Sequence, residues 1–285
     1  MFEKLYKLEK QLKSKFLFDH DMSKLTWFRT GGNTKLLIIV ENSIELEIIL
    51  QTIKSLPRYV IGAGSNLLVR DGGYNGILLK LGKGFNKISL FENYILVSAS
   101  ILDIHFSNFA RKNNISGFEF FSGIPGTLGG AIKMNAGCFG SETSDLLKEI
   151  EYFDKNGDKK NAKVTNLKLD YRYSDIEDSS IITNAKFFSN IGNLEEINNK
   201  HDIIKKKRLA NQPILEKTSG STFKNPPNQF AAKLIEESGC KGLSVGDAHV
   251  SNLHANFIIN SNKAKASDIE KLGKIIIEKV QKKFN

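Results

Sequence analysis

A chain of 285 residues is long for one domain and suits two or three compact lobes, each able to bury its own core. Its 40% apolar and 25% charged residues are ordinary globular values. No run of eighteen apolar residues occurs, and Lys or Glu interrupts the N-terminal stretch where a signal peptide needs an unbroken hydrophobic segment, so a cytoplasmic protein is expected. The net charge of +10 is no nucleic-acid footprint, because only six of the 41 basic residues are arginine and the lysines lie scattered without interleaved aromatics. Cys138 and Cys240 form no Cys-x-x-Cys pair and are too few for a disulfide framework, which agrees with a reducing compartment.

In chain order, residues 2–17 place Leu5, Leu8, Leu12 and Phe16 at helical spacing and predict an amphipathic helix. A strand at Leu36–Val40 leads into a helix with Ser43 as N-cap, carrying Leu46, Ile49, Leu50 and Ile53 and stopped by Pro57; Tyr59–Ile61 makes the next strand. Short strands follow at Leu67–Arg70, Gly76–Leu81 and Tyr94–Ser98, then a helix over Ile101–Asn113. Ile150–Asp154, a hairpin turn at Lys155-Asn156-Gly157-Asp158 and a strand at Ile181–Phe188 come next. The polar stretch 189–199 reads as a linker. Beyond it lie a basic helix at Ile203–Leu209, a helix at Ala231–Ser238 closed by Gly239, a strand at Phe257–Ile259, and a last helix opened by a Ser267-x-x-Glu270 capping box.

Two glycine-rich loops interrupt this pattern. Gly62-Ala63-Gly64-Ser65-Asn66 sits at a strand's C-terminal end, a usual place for ligand contact in α/β units. It is no dinucleotide fingerprint of the Gly-x-Gly-x-x-Gly kind, since position 67 is Leu and Leu68-Val69-Arg70 continues extended instead of opening a helix. No Gly-Lys-Ser/Thr follows to make a Walker loop. What remains is a nest of backbone donors from Ala63 to Leu67 suited to a pyrophosphate, or a tight turn. The second loop, Gly123 to Gly140, carries six glycines. Pro125-Gly126-Thr127 can start a short helix facing an anion, and Asn135-Ala136-Gly137 lets main chain lie against a ring system.

Downstream, Arg172 in Tyr171-Arg172-Tyr173-Ser174 is flanked by aromatics that can hold a guanidinium for bidentate pairing with a carboxylate; an edge-strand Arg over tyrosines is the plainer alternative. Gly220-Ser221-Thr222-Phe223-Lys224-Asn225-Pro226 offers a serine, a cation and an amide. Ser221 lies in no nucleophile elbow but can donate a proton to a developing anion; a simple turn is the alternative. His249 and His254, five apart, lack the company of further ligands, so no metal is assigned.

These segments, with Leu25-Thr26-Trp27-Phe28-Arg29-Thr30-Gly31-Gly32 and Gly117-Phe118-Glu119-Phe120, run in the same order over nearly the whole chain as in the UDP-N-acetylenolpyruvoylglucosamine reductases of bacterial cell-wall synthesis, a family this sequence resembles. The resemblance implies an α+β fold: a two-lobed FAD-binding domain of the PCMH/vanillyl-alcohol-oxidase type over residues 1–190, divided near 80–100, then a smaller α+β substrate-binding domain over 191–285 that stops short of the family's C-terminal segment. It implies non-covalent FAD, NADPH as reductant, and a hydride passed to an enolpyruvyl double bond to give UDP-N-acetylmuramate. A monomer acting on a small UDP-sugar, with no nucleic acid or membrane partner, is expected.

Residue by residue, the resemblance places flavin contacts at Gly62, Ala63, Gly64, Ser65, Asn66 and Leu67 and, in the second loop, at Gly123, Ile124, Pro125, Gly126, Thr127, Gly129, Gly130, Asn135, Ala136 and Gly137. Ser221 matches the proton donor, Arg172 the group stabilising developing charge, Lys224 and Asn225 substrate positions, and Arg208 a basic position for the UDP phosphates. Asp247-Ala248-His249 replaces the more usual Gly-Ala-Gln or Gly-Ala-Met, and Glu278 does not match the family's catalytic glutamate, so no glutamate is assigned. Flavin reduction by NADPH is accordingly expected to survive, and transfer to the enolpyruvyl substrate to be slowed. Two other readings stay open on the residues: an oxidase of the same FAD-binding class, with Cys138 as a tether, and a UDP-sugar binder of weakened or no activity.

Overall fold

The first apolar stripe forms a shorter helix than its spacing predicts. In the computed structural model, which describes residues 2–54 and 56–285, helix α1 (Phe2–Glu9) buries Leu5 and Leu8 and then stops. Ser14, buried, donates its hydroxyl to Glu45 at 2.6 Å, and the chain continues as a strand, Lys15–Asp21, in which Phe16 is buried. Phe16 thus serves a sheet, where aromatic residues pack well against neighbouring strands. Helix α2 (Ser43–Thr52) is capped by Asn42, not Ser43: the Asn42 amide oxygen accepts from the Glu45 N–H at 3.0 Å.

The chain divides into two compact units built from interleaved stretches: residues 1–20, 34–63 and 75–205 in the first, and 21–33, 64–74 and 206–285 in the second. The first unit contains a four-stranded sheet in the order Lys15–Asp21, Asn33–Val40, Tyr74–Leu81, Arg58–Val60, the last two parallel with Tyr59 opposite Leu78. Leu36, Ile38 and Val40 of this sheet pack on Leu46, Ile49 and Leu50 of α2. A five-stranded sheet follows, ordered Lys159–Lys163, Leu147–Phe153, Ile181–Phe188, Tyr94–Ser98, Ile88–Leu90, with every neighbouring pair antiparallel. It forms its own core with α3 (Asp103–Lys112) and α4 (Leu128–Lys133). Phe106, Phe118, Phe121 and Phe187 meet at its centre, all at most 1% exposed, with Phe106 4.8 Å from Phe118 and 5.2 Å from Phe187 between ring centroids. Phe118 and Phe121 lead straight into the second glycine loop, so the core fixes where that loop begins.

The polar stretch 189–199 is not a linker. It supplies a short strand, Asn190–Ile191, and the first turns of α5 (Leu194–Asn211), which buries Ile197, His201 and Ile204 at spacings of four and three. His201 lies 3.3 Å from the Ser107 hydroxyl, and Arg111 donates to Asn198 at 2.6 Å. The division between units falls inside α5, between Lys205 and Lys206, rather than near residue 190.

In the second unit, α6 (Ala231–Glu237) and α7 (Ala266–Phe284) pack with a three-stranded sheet, Ser244–Val245, Ala248–Val250 and Ile258–Asn260, around Ile235, Leu272 and Ile276. Phe28, 2% exposed, joins that core, and the buried Asn260 amide donates to its carbonyl at 2.7 Å. Residues 67–70 form no strand; Gly32 and Gly73 both donate their N–H to the Arg70 carbonyl. The predicted Ser267 capping box is replaced by Asp71, whose carboxylate accepts from the N–H groups of Ala266 (2.8 Å) and Ser267 (3.1 Å). Burial opposes ionisation of Asp71, but the hydrogen bonds from Ser267 and Ala266 outweigh it and hold its pKa below the ordinary value. Glu270 instead pairs with Arg70 at 2.8 Å.

The hairpin at 154–158 forms as its turn residues predict: Gly157 takes φ +85°, and Asp154 accepts from the N–H of Asn156 (2.8 Å) and Asp158 (3.1 Å). The Lys160 ammonium at 2.6 Å, opposed by burial and helped by those N–H groups, lowers the Asp154 pKa to about 2 from 3.8. A depressed carboxyl stabilises the fold above its unfolded pKa and loses that contribution as pH falls through the folded value. Asp154→Asn should therefore cost about 1–2 kcal/mol at pH 7 and progressively less between pH 4 and pH 2, as read by urea unfolding across that range. A pH-independent difference would contradict the assignment.

Candidate functional site

The first glycine loop leaves the parallel pair Arg58–Val60 and Tyr74–Leu81 at its C-terminal end, as expected. Gly62 lies against Thr127 of the second loop: a Cβ at position 62 would stand 2.4 Å from the Thr127 hydroxyl oxygen, closer than any side chain tolerates. Two loops more than sixty residues apart in sequence thereby touch. Thr127 also precedes α4 in extended conformation, bridges Leu102, and accepts at its carbonyl from Ala131, while Leu128 and Gly129 donate to the carbonyls of Ile101 and Ala99. The Pro125-Gly126-Thr127 segment does open a short helix.

Most of the loop glycines answer to protein atoms. A Cβ at Gly129 would meet Ala99 at 3.1 Å, at Gly123 the Cys138 sulfur at 3.0 Å, at Gly137 the Ser141 carbonyl at 2.5 Å, and at Gly64 the Leu25 carbonyl at 2.1 Å. Only Gly140, among those of the second loop so described, faces open space. Glycine density here reflects close approaches of the chain to itself. Asn135, 3% exposed with φ +41°, accepts from Ser144 N–H at 2.9 Å, while its Nδ2 is buried with no partner. Asp103, fully buried, gives its N–H to the Gly126 carbonyl and, among the described residues, has no partner on either carboxylate oxygen; burial raises its pKa well above the ordinary carboxylate value.

Arg172 sits at the tip of a two-residue turn joining Leu169–Asp170 to Tyr173–Ser174, with Asp170 opposite Tyr173. Its φ of +52° is a left-handed conformation that a non-glycine residue adopts at a cost of order 1 kcal/mol. The turn is roped to α4. Ser174 donates its hydroxyl to the Lys133 carbonyl at 2.7 Å, and the Lys133 ammonium donates to the Ile176 carbonyl and pairs with Asp178 at 2.9 Å. Among the described residues the Arg172 guanidinium has no hydrogen-bond or ionic partner of its own.

In the second unit, Ser221 follows Gly220 (φ +82°) and forms a β-bridge with Phe257. The next residues are clamped by Asn256, 3% exposed, which accepts from Phe223 N–H and returns its amide to the Phe223 carbonyl, both at 2.9 Å. Ser221 is exposed, and the Thr222 hydroxyl is buried without a partner. Asn225 accepts from Ala231 N–H at 3.0 Å at the start of α6, so one face of its amide is structural; Lys224 is exposed. Arg208, in the last turn of α5, donates to Gln212 at 3.0 Å. His249 is engaged with Ser261 at 2.7 Å, and among the described residues no group of three or more metal-binding side chains gathers.

Three residues that position this machinery escaped the sequence: Ser174, Asn256 and Lys80. Asn256 and Lys80 each carried a signal, being polar residues inside apolar runs, Ala255-Asn256-Phe257-Ile258 and Ile77-Leu78-Leu79-Lys80-Leu81. Lys80 donates its ammonium to the Gly62 carbonyl.

Comparison with known proteins shows the family. Residues 34–162 match the model of an FAD binding domain, and residues 212–285 that of the C-terminal domain of UDP-N-acetylenolpyruvoylglucosamine reductase. The UDP-N-acetylenolpyruvoylglucosamine reductase of Pelagibacter ubique (strain HTCC1062) is 41% identical over 99% of this chain and 95% of its own length. The crystal structure of the reductase (MurB) from Thermus caldophilus superposes with a TM-score of 0.84 at 33% identity, covering 93% of this chain and 95% of that one. A Physcomitrella patens BBE-like protein shares the fold alone, at 14% identity and a TM-score of 0.50 over 65% of this chain and 44% of that one. The fold is thus the α+β FAD-binding type expected, and the chain belongs to the UDP-N-acetylenolpyruvoylglucosamine reductase family.

Proposed function

We propose that this chain reduces the enolpyruvyl group of UDP-N-acetyl-3-O-(1-carboxyvinyl)-glucosamine to UDP-N-acetylmuramate, a step in peptidoglycan precursor synthesis, with NADPH as reductant and FAD as mediator. The observation that carries this is the junction of two glycine loops at Gly62 and Thr127, together with a turn, tied to the other end of α4, whose arginine has no partner among the described residues. The residues present fit a flavin dinucleotide. The nest from Ala63 to Leu67 offers N–H donors to a diphosphate, and the orphaned Asn135 Nδ2 offers a buried donor to a ring acceptor. In this reading the remaining loop positions, from Gly123 and Ile124 through Gly130, Ala136 and Gly137, are the further flavin contacts. FAD, when bound, supplies the two-electron relay between NADPH and substrate.

The chain's own residues handle charge and protons. Hydride addition to one carbon of the double bond leaves an electron pair conjugated with the substrate carboxylate. Arg172 offers that carboxylate a planar pair of donors, and its strained turn, braced on α4, holds them in place before substrate arrives. Ser221 delivers the proton that completes the reduction, its backbone held by the Phe257 bridge and the Asn256 clamp. Lys224 and Arg208 supply positive charge for a UDP-sugar, and Asn225 an amide. The enzyme acts in the cytoplasm as a monomer.

The activity is tested by NADPH oxidation with and without the enolpyruvyl UDP-sugar. Absorbance loss that depends on the sugar supports it; loss indifferent to the sugar, or none, refutes it. Ser221→Ala should keep FAD and its reduction by NADPH but lower turnover by about 10²–10⁴; unchanged turnover would remove Ser221 from the proton-donor role. Arg172→Lys should lower kcat/KM by roughly 10² or more, since a point charge cannot pair in two places, while leaving the melting temperature unchanged. A variant with normal kinetics would make Arg172 a turn residue only.

A further inference from the structure

Lys80 lies in the strand Tyr74–Leu81, directly after the buried Ile77, Leu78 and Leu79. Its side chain is partly buried, and its ammonium donates to the carbonyl of Gly62, the first residue of the loop whose N–H groups form the nest. No carboxylate pairs with it among the described residues, and burial alone lowers its pKa. Among the described residues the ammonium has no second protein acceptor. This contrasts with Lys133, Lys159, Lys160 and Lys186 of the same unit, each within 3.2 Å of a carboxylate. A partly desolvated cation with a single neutral partner is costly unless an anion completes it. Backbone donors bring only partial charge to a diphosphate, which carries about two negative charges; a lysine at the foot of the loop brings a whole one.

We propose that Lys80 is the charge-neutralising residue of the dinucleotide site: anchored on the Gly62 carbonyl, its ammonium pairs with a diphosphate oxygen of FAD. This rests on the flavin reading given above and adds a residue to it. Lys80 also ties the cofactor to the loop junction, because Gly62 is the residue pressed against Thr127. A ligand that carries the ring but no phosphate gains nothing from Lys80.

The test uses the full chain freed of flavin, titrated with FAD and with riboflavin by flavin fluorescence at low and high salt. Lys80→Met and Lys80→Gln should each weaken FAD binding about tenfold or more, the loss expected for a charge-assisted hydrogen bond. They should flatten its salt dependence and leave riboflavin affinity unchanged. Lys80→Arg should retain most of the affinity. Gln can still donate to the Gly62 carbonyl without charge, so a Lys80→Gln protein that binds FAD as the unaltered chain does would overturn the proposal. Equal weakening of FAD and riboflavin would also overturn it, making Lys80 a brace of the loop. An unaltered chain that binds neither compound would bring down the flavin reading itself.

Discussion

The contact of Gly62 with Thr127 is the constraint on which the proposed cofactor site depends. Thr127 can stand there only because position 62 has no Cβ, and the approach brings the end of a parallel strand pair onto the start of α4. Lys80 reaches the Gly62 carbonyl from the neighbouring strand, and Ser174 and Lys133 tie the Arg172 turn to the far end of α4. Behind the loop the phenylalanine cluster leaves Phe118 and Phe121 no freedom to shift. A short helix of six residues, weak in isolation, is held at both ends by tertiary contacts.

The charge distribution separates structure from function better than the net charge does. Ion pairs such as Lys155–Glu177 and Lys233–Glu237 are largely exposed and contribute little to stability. Among the described residues Arg172 stands apart, a guanidinium with no partner held on a strained backbone, and Lys80 is a partly buried ammonium with no counter-anion. Such groups cost stability in the unliganded protein and gain their partners on binding, a pattern expected where anionic cofactors and substrates meet the chain.

Elements whose signals are local were legible from the residues. The strand Ile181–Phe188, the turn around Gly157 and the helix closed by Gly239 (φ +66°) follow from β-branched runs and turn chemistry that need no distant partner. Where the structure departs from expectation, a distant residue decides. Phe16 leaves the helical stripe because a strand beside Asn33–Val40 can bury it, and α7 takes its cap from Asp71, nearly two hundred positions away. The stretch 189–199 reads as a linker because only Ile197 of the buried stripe Ile197, His201 and Ile204 falls within it, among polar residues. The loops themselves were plain, yet the sequence could not say that Gly123, Gly129 and Gly137 accommodate protein atoms, since what a missing Cβ avoids is a tertiary fact. The interleaving of the two units was equally hidden, because residues 21–33 and 64–74 carry no compositional mark of belonging with the C-terminal third.

Holding a dissociable flavin dinucleotide at the Gly62–Thr127 junction is the account's central claim, and equilibrium uptake of FAD by the flavin-free chain tests it most directly. The account predicts saturable binding of one FAD per chain, with the yellow colour lost to the supernatant when the protein is denatured. A chain that takes up no FAD, or one that keeps the colour after denaturation, would contradict it.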